Sequence, residues 1–372
     1  MQNSKNELKR LEGIKNDEVL VGPRSVSIGI TRICNITCKY CLGQPFDHLD
    51  SKNVVDRPPY IDMAIFYRLV DDCSELGVES MTLCGGEPTL HPQIKDMIAY
   101  VRGKDMQVSI NTNATFKEEL VKELGQVAAL NIDLATLKME DYQSIQGGTK
   151  HQFNRVLANI SAVAEFKKAN KGPELKIVYV LNKDNFDQID EMIKWAVKTG
   201  INSIYFKIMR FNENIKDLAI LEPDVVRLKN SLQLALKNGL YKHIKTNLKE
   251  LARFVLDVKF NKECETINFY DLFEGDLYFH ASFKEGFKCY YGWYSADIGP
   301  WGHVILCCTN RMTFVGNIYE YSFKEIWNSA YARQIRLTMK NQFDINKNFF
   351  KPCHYCPNVH FNTTIDAATQ HG

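Results

Sequence analysis

A chain of 372 residues, 45% of them hydrophobic, is long enough to bury one large core or two moderate ones. Its 46 Lys plus Arg nearly balance 44 Asp plus Glu, and a formal net charge of +2 lacks the basic footprint that nucleic acid or an anionic membrane would require. No apolar run reaches the roughly 18–20 residues of a bilayer span, and the polar N-terminus has no signal-peptide core. A cytoplasmic protein that binds neither nucleic acid nor membrane is expected.

After about 24 polar residues, SVSIGITRI reads as a short strand that ends at a cysteine cluster. The apolar spacing of IDMAIFYRLVDDCSELG (Ile61 to Gly77) predicts a helix stopped by glycine. VESMTLC (Val78 to Cys84) is the next strand and runs into GGEP. The alternation continues with PQIKDMIAYVRG helical, MQVSINT a strand, KEELVKELG helical and AALNIDLA a strand. FNRVLANISAVAEFKKAN is helical, ELKIVYVLN a strand, FDQIDEMIKWAVKTG helical and INSIYFKIM a strand. Six strands alternating with helices imply parallel strands with right-handed crossovers. In closed or partly closed parallel barrels, chemistry sits on loops leaving the C-terminal strand ends. Each motif of interest falls at such an end: Cys34 to Cys41, Gly85 to Pro88, Asn111 to Asn113, and Asp133. Two amphipathic helical stretches follow, LEPDVVRLKNSLQLALKNG and TNLKELARFVLDVKF. Beyond them the composition turns aromatic and cysteine-rich, with too little aliphatic core to fold unaided.

Eleven cysteines in a chain that is neither small nor exported point to metal ligation or catalysis, because disulfide frameworks belong to small secreted proteins. Cys34, Cys38 and Cys41 fall within eight residues. Thiolates favour zinc or iron–sulfur clusters over hard cations. A structural zinc site needs a fourth Cys or His, and His48 is the only one nearby. A 4Fe–4S cluster on three thiolates would instead leave one iron open to a ligand. Buried inert thiols are the third reading.

Cys34-x3-Cys38-x-Tyr40-Cys41 resembles the signature of the radical SAM enzymes. The resemblance implies an α/β fold, a partial (β/α)6 TIM-type barrel, with the three cysteines holding the cluster and S-adenosylmethionine chelating the open iron. It also implies reductive cleavage of that cofactor to a 5′-deoxyadenosyl radical, which abstracts a hydrogen atom from substrate. Tyr40 would sit by the adenine. LCGGEPTLHP is similar to the family's GGEP motif, so Gly85, Gly86, Glu87 and Pro88 would bind the methionine amino group. Two glycines let backbone approach a ligand closely, and Glu87 offers an acceptor for an ammonium group, although a GG after a strand is also a plain tight turn. INTNAT resembles the family's TNG strand end with Ala114 in place of glycine, implicating Thr112 and Asn113. NIDLA resembles the next strand's S-x-D with Asn131 in the serine position, implicating Asp133, and Asn182 closes the fifth strand. Asn and Thr after strands are equally ordinary turn residues.

The spacing Cys289-x12-Gly302-x4-Cys307, followed by GNIYEYSFKEIWNSAYARQIR and Cys353-x2-Cys356, resembles the auxiliary-cluster domain called SPASM or, shortened, twitch. The implied ligands of one auxiliary 4Fe–4S cluster are Cys289, Cys307, Cys353 and Cys356, with structural zinc as the rival and Cys308 a bystander. Cys73 reads as core, and Cys84 packs beside GGEP. Cys264 lies where a substrate would approach and is the candidate catalytic thiol, a hydrogen donor of the kind epimerases use.

The expected organisation is a polar extension (1–24), the barrel (25–235), a helical and aromatic linker (236–284) and a small cysteine-rich twitch/SPASM-like domain (285–372). The single auxiliary cluster, and too few residues before the first strand for a peptide-leader domain, favour dehydrogenation of a sugar or aminocyclitol-type small molecule. A ribosomal-peptide maturase is the alternative, and a non-catalytic iron–sulfur electron carrier the remote one. An external one-electron reductant such as flavodoxin or ferredoxin is the expected partner.

Overall fold

The structure, a computed structural model, describes residues 2–41, 58–209, 217–257, 287–307, 310–342, 353 and 359–370. The six expected strands form: β1 (Ser25–Thr31), β2 (Ser80–Gly85), β3 (Gln107–Thr112), β4 (Ala129–Asp133), β5 (Glu174–Leu181) and β6 (Ser203–Ile208). They alternate with helices along the chain, the connectivity of a partial (β/α)6 barrel. Four further strands follow: β7 (Lys245–Thr246), β8 (Ser295–Ile298), β9 (His303–Ile305) and β10 (Phe314–Asn317). KEELVKELG gives only a 3-10 turn (Glu118–Leu120) and a four-residue helix (Val121–Leu124). Among the described residues, no helix is long and apolar enough to cross a membrane.

The chain divides into two compact units that do not follow chain order. The first comprises Met1–Ile33, Gln44–Ser109 and Tyr278–Gly372. Here β1 pairs in parallel with β2 on one side and with β8 on the other, Ser25 facing Ser80 and Ser295. β9 and β10 continue the sheet antiparallel from β8. The cysteine-rich C-terminal segment is therefore joined to the first barrel strand by backbone hydrogen bonds, and it borrows core from the N-terminus. Ile14 packs with Tyr290, Trp293, Tyr294 and Ile365. Residues 2–15, read from sequence only as part of a polar extension, form a helix. Arg10 is 1% exposed and bonds Glu79 at 2.7 Å. Helix Met63–Glu75 shows why its sequence folds so: Asp62 caps Ala64 and Ile65, and Phe66, Leu69, Val70 and Cys73 recur at core-facing spacing.

The second unit comprises Cys34–Gly43 and Ile110–Leu277. Strands β4 to β7 run parallel in sequence order, Ala129 facing Glu174 and Lys176 facing Ser203. Along β4, buried Leu130 and Ile132 alternate with part-exposed Ala129, Asn131 and Asp133, the period of two that sends polar groups to one face. Helix Lys150–Asn170 starts at a reciprocal Thr149–Gln152 capping box. Helix Ile189–Thr199 ends on Gly200, whose φ of 86° is the left-handed cap that glycine supplies without strain.

Candidate active site

The loop carrying Cys34, Cys38 and Cys41 is pinned by a segment 100 residues further on. Lys39 N–H donates to Ile145 O (2.9 Å), and Gln152 Nε2 donates to Asn35 O (2.8 Å). Gly147, at φ 65°, has no room for a side chain, because a Cβ there would lie 2.2 Å from Thr37 Oγ1. Cys34 and Cys41 are exposed and Cys38 is half-buried. Cys41 N–H donates to Cys38 O (3.1 Å), closing a tight backbone turn between the two cysteines. Burial pushes the Cys38 thiol up, and the charges of Asp133, Cys41 and Cys34 add to it, so the three sulfurs feel one another. Among the described residues, no three Cys, His, Asp or Glu side chains already converge on one metal position. The donor set is nonetheless all soft sulfur, in a part-exposed loop, which suits an iron–sulfur cluster and no hard cation. His48, the other donor considered, lies outside the described residues.

A neutral amide network braces this loop from the end of β3. Asn113 Nδ2 donates to Asn35 Oδ1 (3.0 Å) and lies 3.8 Å from Cys34 Sγ. Thr115 Oγ1 donates to Asn113 Oδ1 (2.6 Å) and accepts from Asn35 Nδ2 (2.8 Å). Ala114, where the family carries glycine, sits at φ 60°, a conformation that strains a residue with a Cβ. Asn159 holds that strained turn: its buried Nδ2 donates to both Ala114 O (2.8 Å) and Phe116 O (2.7 Å). Asn159 escaped the sequence reading because a lone Asn inside a helical pattern carries no local signal. Thr112 Oγ1 accepts from Ala114 N–H, so it serves the turn itself.

Asp133, at the end of β4, is tied to the same loop. Tyr40 O–H donates to its carboxylate at 2.6 Å. Burial pushes the Asp133 carboxyl up to about 6, against the lowering effects of the Tyr40 hydrogen bond and the Lys207 charge. The Tyr40 ring packs among Ala135, Ile145, Val180, Met209, Leu218 and Ala219, and burial pushes its phenol well above the usual range. Fully buried Gln146 was also missed from sequence; its Oε1 accepts from Ala135 N–H and its Nε2 donates to Asp133 O. Asn182 is spent on its turn, donating to Val180 O and accepting from Asp184 N–H. Asn131 reaches Asn111 instead of a neighbouring loop (2.8 Å).

The GGEP turn belongs to the first unit. A Cβ on Gly85 would lie 2.2 Å from Thr31 O, and one on Gly86 the same distance from Ile33 O. Gly86 N–H donates to Thr31 O and Glu87 N–H to Ile33 O (2.7 Å), tying the turn to the residues that lead into Cys34. The Glu87 carboxylate is fully buried and caps the turn Pro88–Leu90 by accepting from Thr89 N–H and O–H. Beside it, burial first and the Asp297 charge second push the Cys84 thiol up to about 12, so Cys84 is a protonated packing residue.

The C-terminal cysteines are also in the first unit. Cys307 is buried just after β9, and Cys289 and Cys353 are half-buried. Cys289 N–H donates to Met339 O (3.2 Å) on helix Ala330–Asn341. The three described donors are again sulfur only, the chemistry an iron–sulfur group takes, and they do not converge on one metal position. Cys264, Cys308 and Cys356 lie outside the described residues. A cleft of about 360 Å³, lined by Asn131, Glu174, Lys176, Tyr205 and Lys245, opens toward the N-terminal ends of β4–β7. The loops described above leave the opposite strand ends, so this cleft is not their site.

An α/β chain with three cysteines after its first strand, a glycine-tight acidic turn after its second and a terminal cysteine set has the parts of an iron–sulfur radical enzyme. Family models agree: that of the radical SAM superfamily matches residues 28–196, and that of the SPASM iron–sulfur cluster-binding domain matches 289–357. The chain carries a radical SAM domain and a SPASM-type iron–sulfur domain, which bring S-adenosylmethionine, a 4Fe–4S cluster and auxiliary iron–sulfur binding with them. It is similar to the tungsten-containing aldehyde ferredoxin oxidoreductase cofactor-modifying protein of Pyrococcus furiosus, 26% identical over 57% of this chain and 60% of the relative. It is also similar to GTP 3′,8-cyclase of Lactiplantibacillus plantarum, 28% identical over 59% of this chain and 63% of the relative. The chain thus matches less than two thirds of the length of these curated relatives. Among solved structures it resembles Streptococcus suis SuiB bound to S-adenosylmethionine, with a TM-score of 0.63, 16% identity, and coverage of 96% of this chain and 78% of that one. Native anSMEcpe with bound AdoMet matches with a TM-score of 0.58, 13% identity, and coverage of 94% and 99%. At these identities the likeness is one of fold.

Proposed function

We propose that this radical SAM enzyme carries out a two-electron oxidation of a polar small molecule of the sugar or aminocyclitol type. When bound, the two clusters and S-adenosylmethionine supply a hydrogen-abstracting adenosyl radical and an electron acceptor. Cys34, Cys38 and Cys41 hold the cluster with the open iron. Glu87 accepts the cofactor's ammonium group, which Gly85, Gly86 and Pro88 let approach the backbone. Asn113 and Asp133 complete the polar surround, with Tyr40 held by Asp133, while Thr112 and Asn182 shape the turns behind it. Cys289, Cys307, Cys353 and Cys356 hold the second cluster.

The observation that carries the reading is this second, all-sulfur set. Four thiolates close a cluster, so its use is electron transfer and not ligand capture. An oxidation needs such an acceptor: the substrate C–H loses a hydrogen atom, then a proton and an electron, and a carbinol becomes a carbonyl. An external one-electron reductant such as flavodoxin or ferredoxin starts the cycle.

The test is anaerobic incubation of reconstituted protein with S-adenosylmethionine, reductant and candidate polyols. Deoxyadenosine and a carbonyl product are expected, and absence of deoxyadenosine overturns the reading. A second reading is favoured by the fold neighbours: SuiB is known bound to its precursor peptide SuiA, with a TM-score of 0.62 to this chain. A crosslinked peptide would establish that reading instead. So would solvent deuterium in an otherwise unchanged peptide, the mark of epimerisation with Cys264 as hydrogen donor.

A further inference from the structure

The cleft at the N-terminal ends of β4–β7 lies within the second unit, and the cysteine loop makes no use of it. Strand register fixes its lining. Asn131 of β4 pairs with Lys176 of β5, Lys176 with Ser203 of β6, and Ser203 with Lys245 of β7. Residues in parallel register share a face, and neighbouring strands lie about 4.8 Å apart, so these four polar side chains form one row across the sheet. Tyr205, two residues beyond Ser203, falls on the same face and also lines the cleft.

The two lysines of the row are not equivalent. Lys245 lies 3.7 Å from the carboxylate of Glu174. Lys176 is half-buried and has no carboxylate or hydrogen-bond acceptor among the described residues; its ammonium lies 5.2 Å from the centre of the Tyr205 ring. The Tyr205 hydroxyl has no acceptor among them either, and burial pushes its phenol up, so it remains a donor at neutral pH. Asn131 spends its Nδ2 on Asn111 Oδ1, which leaves its own Oδ1 to accept. At about 360 Å³ the cleft falls within the roughly 300–1,000 Å³ range of small-molecule sites. It offers one cation without a counter-charge, one phenolic donor and one amide acceptor.

We propose that this cleft is a second ligand site, distinct from the one the cysteine loop builds, and that it binds a small hydroxy-carboxylate. The carboxylate sits on the Lys176 ammonium and the Tyr205 hydroxyl, a charge-assisted pair of donors for its two oxygens. A hydroxyl of the same ligand donates to Asn131 Oδ1. Glu174 occupies Lys245, so the charge left to satisfy is that of one carboxylate. A phosphate monoester carries nearly two negative charges near neutrality and would bring one in excess, next to Glu174.

The experiment is calorimetric titration of the reconstituted full chain with gluconate, a polyhydroxylated carboxylate, beside glucose and glucose 6-phosphate. Gluconate should bind with a Kd of about 1 mM or tighter, and glucose at least about tenfold more weakly. Lys176→Met should weaken gluconate about tenfold, and K176R, which keeps the charge, should recover most of the loss. Tyr205→Phe should weaken it about threefold or more. In the unaltered chain, affinity should fall as salt rises from about 0.05 to 0.5 M, since the pair is part-exposed. No gluconate binding at that level, or equal affinity in K176M and wild type, overturns the proposal. Tighter binding of glucose 6-phosphate than of gluconate overturns the carboxylate assignment. S-adenosylmethionine at saturation, without reductant, should leave gluconate affinity unchanged; displacement would show that the two ligands share one site and would overturn a separate one.

Discussion

Asn159→Leu should destabilise the protein through a turn it does not belong to. The Asn159 amide is 4% exposed and satisfies two buried carbonyls, Ala114 O and Phe116 O, at 2.8 and 2.7 Å. Leucine fills similar space and donates nothing, and each carbonyl left unpaired costs about 1–3 kcal/mol. Added apolar burial offsets about 1 kcal/mol, leaving a net loss of about 1–5 kcal/mol. The turn has no slack to absorb this, since Ala114 already occupies a left-handed conformation at φ 60°. With a urea slope of about 3 kcal/mol/M, the unfolding midpoint falls by about 1 M. Asn159→Asp gives an internal control. Its ionised carboxylate can only accept, so it faces two carbonyls with nothing to donate, and stability should fall as pH rises through the titration of the introduced acid. The assay is equilibrium urea unfolding of the full chain. An N159L midpoint within about 0.2 M of wild type, on a slope of that order, would refute the reasoning, because it would mean that the two carbonyls find other donors.

Gly147→Ala should displace the 34–41 loop, because its methyl would sit 2.2 Å from Thr37 Oγ1 at φ 65°. Iron per chain should drop from about eight toward about four, measured by chemical iron assay, with the auxiliary set unaffected. Glu87→Gln should leave iron content unchanged and weaken S-adenosylmethionine binding by about tenfold or more in equilibrium dialysis, from loss of a charged acceptor. His91 is buried, its Nδ1 accepts from Gln93 N–H, and burial holds its pKa below the usual imidazole value. The folded state then binds the proton less readily than the unfolded one, so this contribution is intact above about pH 6.5 and is lost as pH falls below it. Unfolding midpoints across pH 5 to 8 should show a decline on the acid side that His91→Gln reduces.

What could be read from the sequence follows from how local each signal is. The six barrel strands are short apolar runs separated by helices with apolar spacing, and both patterns are carried within about ten residues. The cysteine loop and GGEP are equally local, because glycines and thiols are fixed by close backbone approach. The partners that brace them are not. Gln146, Gln152 and Asn159 look like ordinary helix or turn residues, and their partners Asp133, Asn35 and Ala114 lie 13, 117 and 45 residues away. The C-terminal segment looked short of core for the same reason. Its Trp293 and Tyr294 find Ile14, and its strand β8 finds β1, across the whole length of the chain.

The two cysteine sets are held in different ways. Around Cys34, Cys38 and Cys41 the braces are neutral: Asn35, Asn113, Thr115, Gln146 and Gln152 fix the loop by hydrogen bonds. The charges there are Lys39, paired with Asp217 at 3.2 Å, and Asp133, whose carboxyl burial pushes up to about 6. Around Cys289 and Cys307 the described support is backbone: Cys289 N–H donates to Met339 O, and Cys307 lies two residues beyond β9.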